Sequence, residues 1–309
     1  MRSISSIFLL FVFVLLGCQN NVEKEKTDKQ VYQIDLQESE THSFYNWSSD
    51  RIPLVSAHRG GPYPGYPENA IETFEYVLSK THAIIECDIG MTSDSVLVLL
   101  HDNTLERTTT GTGKLVASSW EALKNLNLID NEGQATNFNI PTLEQALTAL
   151  KGKALFTLDV KRGVPFEKVV EIVKKTKSVS NAAIITYRAE DAKKVFDLDN
   201  RLMISVGLGN TSAYEAHTRL GIPDKNMIAF VGVGARDKSH FDWLHEKGIF
   251  TILGTMGNLD QQAATKGNQM YQQWVNLGAD ILATDRPLEA AEAILPTEIE
   301  KSSKFKFFK

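Results

Sequence analysis

The chain has 309 residues, 42% of them hydrophobic and 23% charged, with a formal net charge of -5. That length is enough for one large domain with a sizeable core. The acidic balance argues against a nucleic-acid partner, because phosphate-backbone binding needs concentrated Lys and Arg.

At the N-terminus, Arg2 precedes an apolar run from Ile7 to Leu16 that is too short to span a membrane and closes on Leu15-Leu16-Gly17-Cys18. This is the pattern of a secretory signal peptide, residues 1–17. Its last four residues resemble the lipobox of bacterial lipoproteins. The resemblance implies that Cys18 becomes the first mature residue and carries lipid, which would hold the exported protein to a membrane of the bacterial cell envelope. A plain signal peptide with a chance cysteine is the alternative. With Cys18 acylated only Cys87 remains, so export without an intrachain disulfide is no contradiction. Residues 18–50 are polar and charge-mixed, with Glu23-Lys24-Glu25-Lys26, and read as a lipidated tether.

From residue 51 to 296, strand-like apolar runs alternate with helical patterns. The runs fall at 54–57, 83–89, 96–102, 154–161, 182–187, 201–208, 227–233, 249–255 and 279–285. Between them lie helix candidates such as 70–80, 142–150, 166–177 and 269–277. Repeated strand and helix at this length predict an α/β fold with buried parallel strands, and a TIM-type (β/α)8 barrel fits best. Nine candidates exceed eight places, so 96–102 or 227–233 is expected to be an extra element. Residues 103–140, with Thr108-Thr109-Thr110-Gly111-Thr112-Gly113, break the rhythm and are too long for a usual connection. They read as an inserted loop or small subdomain over the barrel mouth, after the third strand candidate. Residues 297–309 form a basic, aromatic tail that reads as a frayed end.

Where the polar residues sit is informative. Glu86 and Asp88 are two apart on a strand and share one face, while Ile85, Cys87 and Ile89 take the other; Asp159 and Lys161 repeat the spacing. Buried carboxylates so close together are costly unless something positive lies between them. His58, Arg59, Glu86, Asp88, His101, Asp159, Lys161 and Asp285 all fall near C-terminal ends of strands, where such barrels collect their catalytic residues. Three carboxylates without a cysteine-histidine set make an oxygen-lined site suited to Mg²⁺ or Ca²⁺. Arg59 and Lys161 add positive charge suited to a phosphoryl group, and His58 and His101 supply one group to accept and one to donate a proton. The set reads as metal-assisted phosphodiester cleavage; the bland alternative is a ring of ion pairs holding the barrel mouth.

These residues also resemble a known family. His58-Arg59-Gly60, Pro67-Glu68-Asn69, Glu86-Cys87-Asp88, His101-Asp102 followed by Leu105 and Arg107-Thr108-Thr109, Asp159-Val160-Lys161 and Thr284-Asp285-Arg286-Pro287 occur in the order and approximate spacing of the glycerophosphodiester phosphodiesterase family. The resemblance covers roughly residues 54–290. It implies a TIM-type barrel that hydrolyses small glycerophosphodiesters to glycerol 3-phosphate and an alcohol. It also implies Glu86, Asp88 and Asp159 as ligands of a divalent ion, His58 and His101 as acid and base, and Arg59 and Lys161 on the phosphate. A related barrel lyase acting on lipid head groups and an inactive surface binding lipoprotein stay open as alternatives. Three departures stand out. Asp159 takes a place where the family usually has Glu, Ile252-Leu253-Gly254-Thr255-Met256-Gly257 replaces a tryptophan-containing strand, and Ala70 follows Pro-Glu-Asn in place of threonine. They point to an unusual leaving alcohol. Tyr63 and Tyr66 are candidates either to line an alcohol pocket or to pack the loop, and His217, His240 and His245 are expected at the surface.

Overall fold

The computed structural model describes residues 31–294 and 299–309, so the signal peptide, Cys18 and the first part of the expected tether lie outside the described residues. Among the described residues there are eleven strands: β1 Leu54–Ala57, β2 Ala83–Met91, β3 Leu97–Leu99, β4 Asn127–Ile129, β5 Ala135–Asn139, β6 Leu155–Val160, β7 Ala182–Thr186, β8 Met203–Gly207, β9 Met227–Gly232, β10 Phe250–Gly254 and β11 Ile281–Thr284. Eight of them form a parallel sheet in the order β1-β11-β10-β9-β8-β7-β6-β2, and the β1–β2 pairing closes it into the expected barrel. Of the two runs that competed for a place, 227–233 supplies barrel strand β9. The run at 96–102 supplies β3, which lies outside the barrel, antiparallel to the far end of β2. Among the described residues no helix is long and apolar enough to cross a membrane.

The strands read as nearly continuous apolar runs because both faces are covered. Outward residues such as Val55, Ile85, Cys87, Phe156, Leu158, Ile184 and Ile204 pack against the surrounding helices, among them Ile71–Leu78, Phe166–Lys175 and Gln269–Leu277. Inward residues stack in layers, as is usual in such barrels. One layer is wholly apolar: Leu54, Ile84, Leu155, Ala183, Met203, Ile228, Phe250 and Ile281, one from each barrel strand. The next inward residue, two positions on, includes Glu86 on β2 and Thr157 on β6.

Beneath the apolar layer, the structure differs from the compositional reading of both chain ends. Residues 31–50, assigned to the tether, and 299–309, assigned to a frayed tail, together cover the barrel floor. Ile34, Leu36, Phe44, Tyr45, Phe307 and Phe308 join the same apolar cluster. Gln33 and Lys309 exchange backbone hydrogen bonds of 2.9 Å in both directions. The reason is physical: an open barrel floor leaves apolar side chains in water, and a handful of large aromatics is enough to seal it. His245, expected at the surface, is buried here, 3.0 Å from Asp280 and stacked on Trp47. His217 is buried as well.

The insertion at 103–140 is a small subdomain with its own apolar centre, built from Leu105, Leu115, Leu123, Leu128 and Ile140 against Val98 and Leu100. β4 and β5 pair antiparallel within it. Asp130 in this subdomain accepts the Gly65 backbone N–H at 2.8 Å, which ties the insertion to the loop after β1.

Candidate active site

Three elements deliver the acidic cluster. β2 and β6 are parallel neighbours with Asp88 directly opposite Asp159. The inward phase of both strands brings Glu86, Asp88 and Asp159 together, each buried and each with a carboxylate oxygen within 4.8 Å of the others. The third element is the loop after β1. It begins with a single turn, His58–Gly60, in which Arg59 adopts a left-handed conformation with φ 53°. That turn aims the Arg59 backbone N–H at Glu86 Oε2, 2.6 Å away. The loop ends at Asn69, also left-handed at φ 60°, whose amide grips Asp88 twice. Asn69 Nδ2 donates to Asp88 Oδ2 at 2.7 Å, and the Asp88 backbone N–H donates to Asn69 Oδ1 at 2.9 Å. Asn tolerates this backbone conformation better than most residues.

Positive charge surrounds the cluster. Lys161 Nζ lies 2.6 Å from both Asp88 and Asp159. Arg59 forms an ion pair with Glu68 at 3.1 Å and reaches Asp88 at 3.8 Å. Burial alone would raise the Asp88 carboxyl, but the Lys161 charge and the Asn69 hydrogen bond hold it below its usual value. Glu86 has no such cation. Burial and the adjacent Asp88 charge push it up to about 8. A buried all-carboxylate donor set with one member forced to keep a proton is what a hard divalent cation relieves, so these residues fit such an ion.

Each histidine is anchored through one ring nitrogen. His58 Nδ1 is 2.7 Å from Asp285, which follows β11, and His101 Nδ1 is 2.7 Å from Asp102. Both contacts leave Nε2 as the nitrogen available for proton transfer. Burial pulls the His58 pKa down, but the Asp285 hydrogen bond and the Glu86 and Asp285 charges outweigh it, and the net shift is upward. Asp102 is held below the usual carboxylate range, chiefly by hydrogen bonds from Arg107. Arg107 donates to Asp102 at 2.6 and 2.9 Å and to Glu68 at 3.0 and 2.8 Å. Glu68 thereby joins Arg107 to Arg59, and one charge network runs from His101 to Asp88.

Every site residue proposed from sequence for the barrel therefore sits at this mouth. Glu68, Asn69 and Arg107 lay in quoted motifs without a role, and Asp285 was placed among the strand-end residues without a specific one. Tyr187 ends the strand run 182–187, a position that could have marked it, but it was not singled out; its hydroxyl donates to Asp159 at 2.8 Å. Tyr63 and Tyr66 serve packing instead. The Tyr63 hydroxyl donates to Glu289 at 2.9 Å, and Tyr66 stacks on Tyr76 with ring centroids 4.0 Å apart.

Comparison with known proteins agrees with this geometry. The profile described as the Glycerophosphoryl diester phosphodiesterase family matches residues 58–288. Glycerophosphodiester phosphodiesterase 1 of Homo sapiens is 37% identical over 130 residues, covering 41% of this chain and 38% of that protein. The glycerophosphodiester phosphodiesterase of Bacillus subtilis is 35% identical over 128 residues, covering 37% of this chain and 41% of that protein. The chain thus aligns with less than half the length of these curated relatives. A crystal structure of a glycerophosphoryl diester phosphodiesterase from Parabacteroides distasonis superposes with a TM-score of 0.83 at 36% identity, covering 91% of this chain and 99% of that one. An Oleispira antarctica phosphodiesterase, solved with the product sn-glycerol-3-phosphate, shares the fold at TM-score 0.62 and 18% identity, covering 82% of this chain and 98% of that one. The profile match across the barrel and the 36% identity over nearly the whole of a solved relative show that the chain belongs to the glycerophosphoryl diester phosphodiesterase family.

Proposed function

We propose that the protein hydrolyses glycerophosphodiesters to glycerol 3-phosphate and an alcohol, with a divalent ion, Mg²⁺ or Ca²⁺, held by Glu86, Asp88 and Asp159. The observation that best supports this is the meeting of two carboxylate-anchored imidazoles with a buried acidic triad and two cations at one barrel mouth. The bound ion supplies Lewis-acid polarisation of a phosphoryl oxygen and neutralises developing charge. Arg59 and Lys161 bind the remaining phosphoryl oxygens. Lys161, which pairs with Asp88 and Asp159 in the metal-free site, would be free for that task once an ion shared the charge of those carboxylates.

His101 accepts the proton of the glycerol hydroxyl next to the phosphate as that oxygen attacks phosphorus. His58, whose raised pKa keeps it protonated nearer neutrality, donates to the departing alcohol oxygen. A cyclic phosphate results. Water then opens it, with the two histidines exchanging roles. Incubation of the purified protein with a panel of glycerophosphodiesters, with Mg²⁺, Ca²⁺ or excess chelator, tests the reading. Release of glycerol 3-phosphate that needs the ion is expected. Accumulation of cyclic phosphate alone would make the protein a lyase, and full activity in chelator would make the carboxylates structural.

We also propose that lipid on Cys18 anchors the protein at the cell envelope. Cys18→Ala is then expected to move it from the membrane fraction to the soluble one, because acyl chains hold far more tightly than a charged patch. Unchanged fractionation would overturn anchoring.

A further inference from the structure

Beside the charged machinery the barrel mouth holds a second kind of surface. A cavity of about 240 Å³ opens from His58 and Glu86 into the upper barrel. It is walled by the inward layer directly above the apolar floor, and that layer is divided. β2 contributes Glu86, while β9, β10 and β11 contribute Phe230, Ile252 and Ala283. In the strand order, β9 and β10 lie across the barrel from β2 and β6, so the apolar wall stands opposite the carboxylates. β7 adds Ile185 beside the acidic strands, and the side chains facing the space from β1, β6 and β8 are the short hydroxyls of Ser56, Thr157 and Ser205.

The apolar surface continues outwards. Val233 Cγ1, Met256 Sδ and Phe230 Cζ lie 2.8, 3.0 and 3.1 Å from the point a β-carbon on Gly254 would occupy, so these side chains converge at the rim. Val233 is 63% exposed, and Tyr187, which lines the same cavity, is 76% exposed. A small polar alcohol would leave this wall and rim bare and would find few hydrogen-bonding partners there. An aliphatic group would remove both from water, at roughly 25 cal/mol per Å² of apolar area.

The geometry points to a subsite for an aliphatic group carried by the phosphodiester itself, a deepening that rests on the phosphodiesterase reading above. At roughly 30 Å³ per water-sized group, the cavity takes about eight such groups. Any longer chain leaves over Tyr187 and Val233. The aliphatic group can be joined through the leaving alcohol or through a glycerol hydroxyl, and two substrate series separate these sources. In the first, sn-glycerol 3-phosphate is esterified to methanol, butanol, hexanol, octanol or decanol. In the second, the methyl diester carries ether-linked chains of the same lengths on the sn-1 oxygen of glycerol, which leaves the sn-2 hydroxyl free to attack phosphorus. All are assayed as dispersed monomers.

In one series kcat/KM is expected to rise about two- to fourfold per methylene, mainly through KM, and to level off near the filled cavity. Ile252→Trp, which fills the space, and Val233→Asp, which places charge at an exposed rim position, are each expected to flatten that rise. Val233 is exposed enough that its variant tests the inference even if Ile252→Trp fails to fold. A flat or falling profile in both series, with the methyl diester still hydrolysed, overturns the subsite alone. A rise insensitive to both variants places the effect elsewhere and also overturns it. If no diester of any length is hydrolysed, the phosphodiesterase reading itself fails and the subsite falls with it.

Discussion

Asp285 illustrates how little of a residue's role is visible from its identity. It follows the last barrel strand, accepts from His58 Nδ1, and through that hydrogen bond and its charge is, with Glu86, what turns the His58 shift upward against burial. Asp285→Asn keeps the shape and removes the charge, so the His58 pKa is expected to fall. If His58 is the general acid, the alkaline limb of the kcat/KM profile must then move to lower pH, with turnover reduced by on the order of 10²-fold. A pH–rate profile checks both, and an unmoved alkaline limb would take this pair out of the chemistry. Carboxylates, histidines and cations were legible in the sequence because ionisable groups at apolar strand ends are expensive and so stand out. Tyr187 was not. Its role depends on β7 lying beside β6, a neighbour relation that no local pattern of residues around 187 contains.

At the scale of an element, the loop from His58 to Asn69 does more for the site than any strand. It supplies His58, the Arg59 backbone N–H and the Asn69 clamp, and it holds them by left-handed Arg59 and Asn69 and by three glycines of positive φ, Gly60 at 84° among them. A β-carbon on Gly60 would sit 2.2 Å from Cε1 of Phe74, a fully buried ring with no room to retreat. Gly60→Ala therefore combines left-handed strain of about 1–2 kcal/mol with overpacking of about 1–3 kcal/mol. Thermal unfolding is expected to drop by roughly 4–20 °C, at about 2–4 °C per kcal/mol for a domain of this size. Activity measured well below that transition should fall as well, since the same turn aims Arg59 at Glu86. A variant with wild-type unfolding temperature would show that the loop adapts. The turn residues announced this loop in the sequence, but β3 shows the limit of such reading. Short apolar runs carry no mark of strand direction, so 96–102 and 227–233 looked alike, and only the pairing with β2 places one outside the barrel.

Over the whole molecule, the barrel was legible because strand and helix alternate, and its two ends were not. The floor is sealed by two segments from opposite ends of the described chain, residues 31–50 and 299–309, each too polar on average to look like core. Phe44 and Phe307 meet with ring centroids 5.4 Å apart, a contact that only the closed barrel creates. At the opposite end, the acidic triad couples stability to both protons and metal. The folded chain raises Glu86 from an ordinary 4.5 to about 8, so between those values the native state holds a proton that the unfolded chain releases. Without metal, this group's contribution is fully present below about pH 4.5. It is lost as pH rises towards 8, at up to about 1.4 kcal/mol per pH unit. A divalent ion binds the ionised carboxylate and displaces that proton, which removes the loss. The rise in unfolding temperature produced by a fixed, saturating concentration of Mg²⁺ or Ca²⁺ is therefore expected to grow from pH 5.5 to 7.5. Calorimetric titration near pH 6.5 in two buffers of different ionisation enthalpy should show release of close to one proton per ion bound. Glu86→Gln should abolish the proton release and much of the thermal shift, since it cannot ionise at any of these pH values. An ion-induced shift independent of pH, with no proton released, would mean that Glu86 is already ionised in the metal-free protein and that Lys161 and Arg59 neutralise the triad unaided.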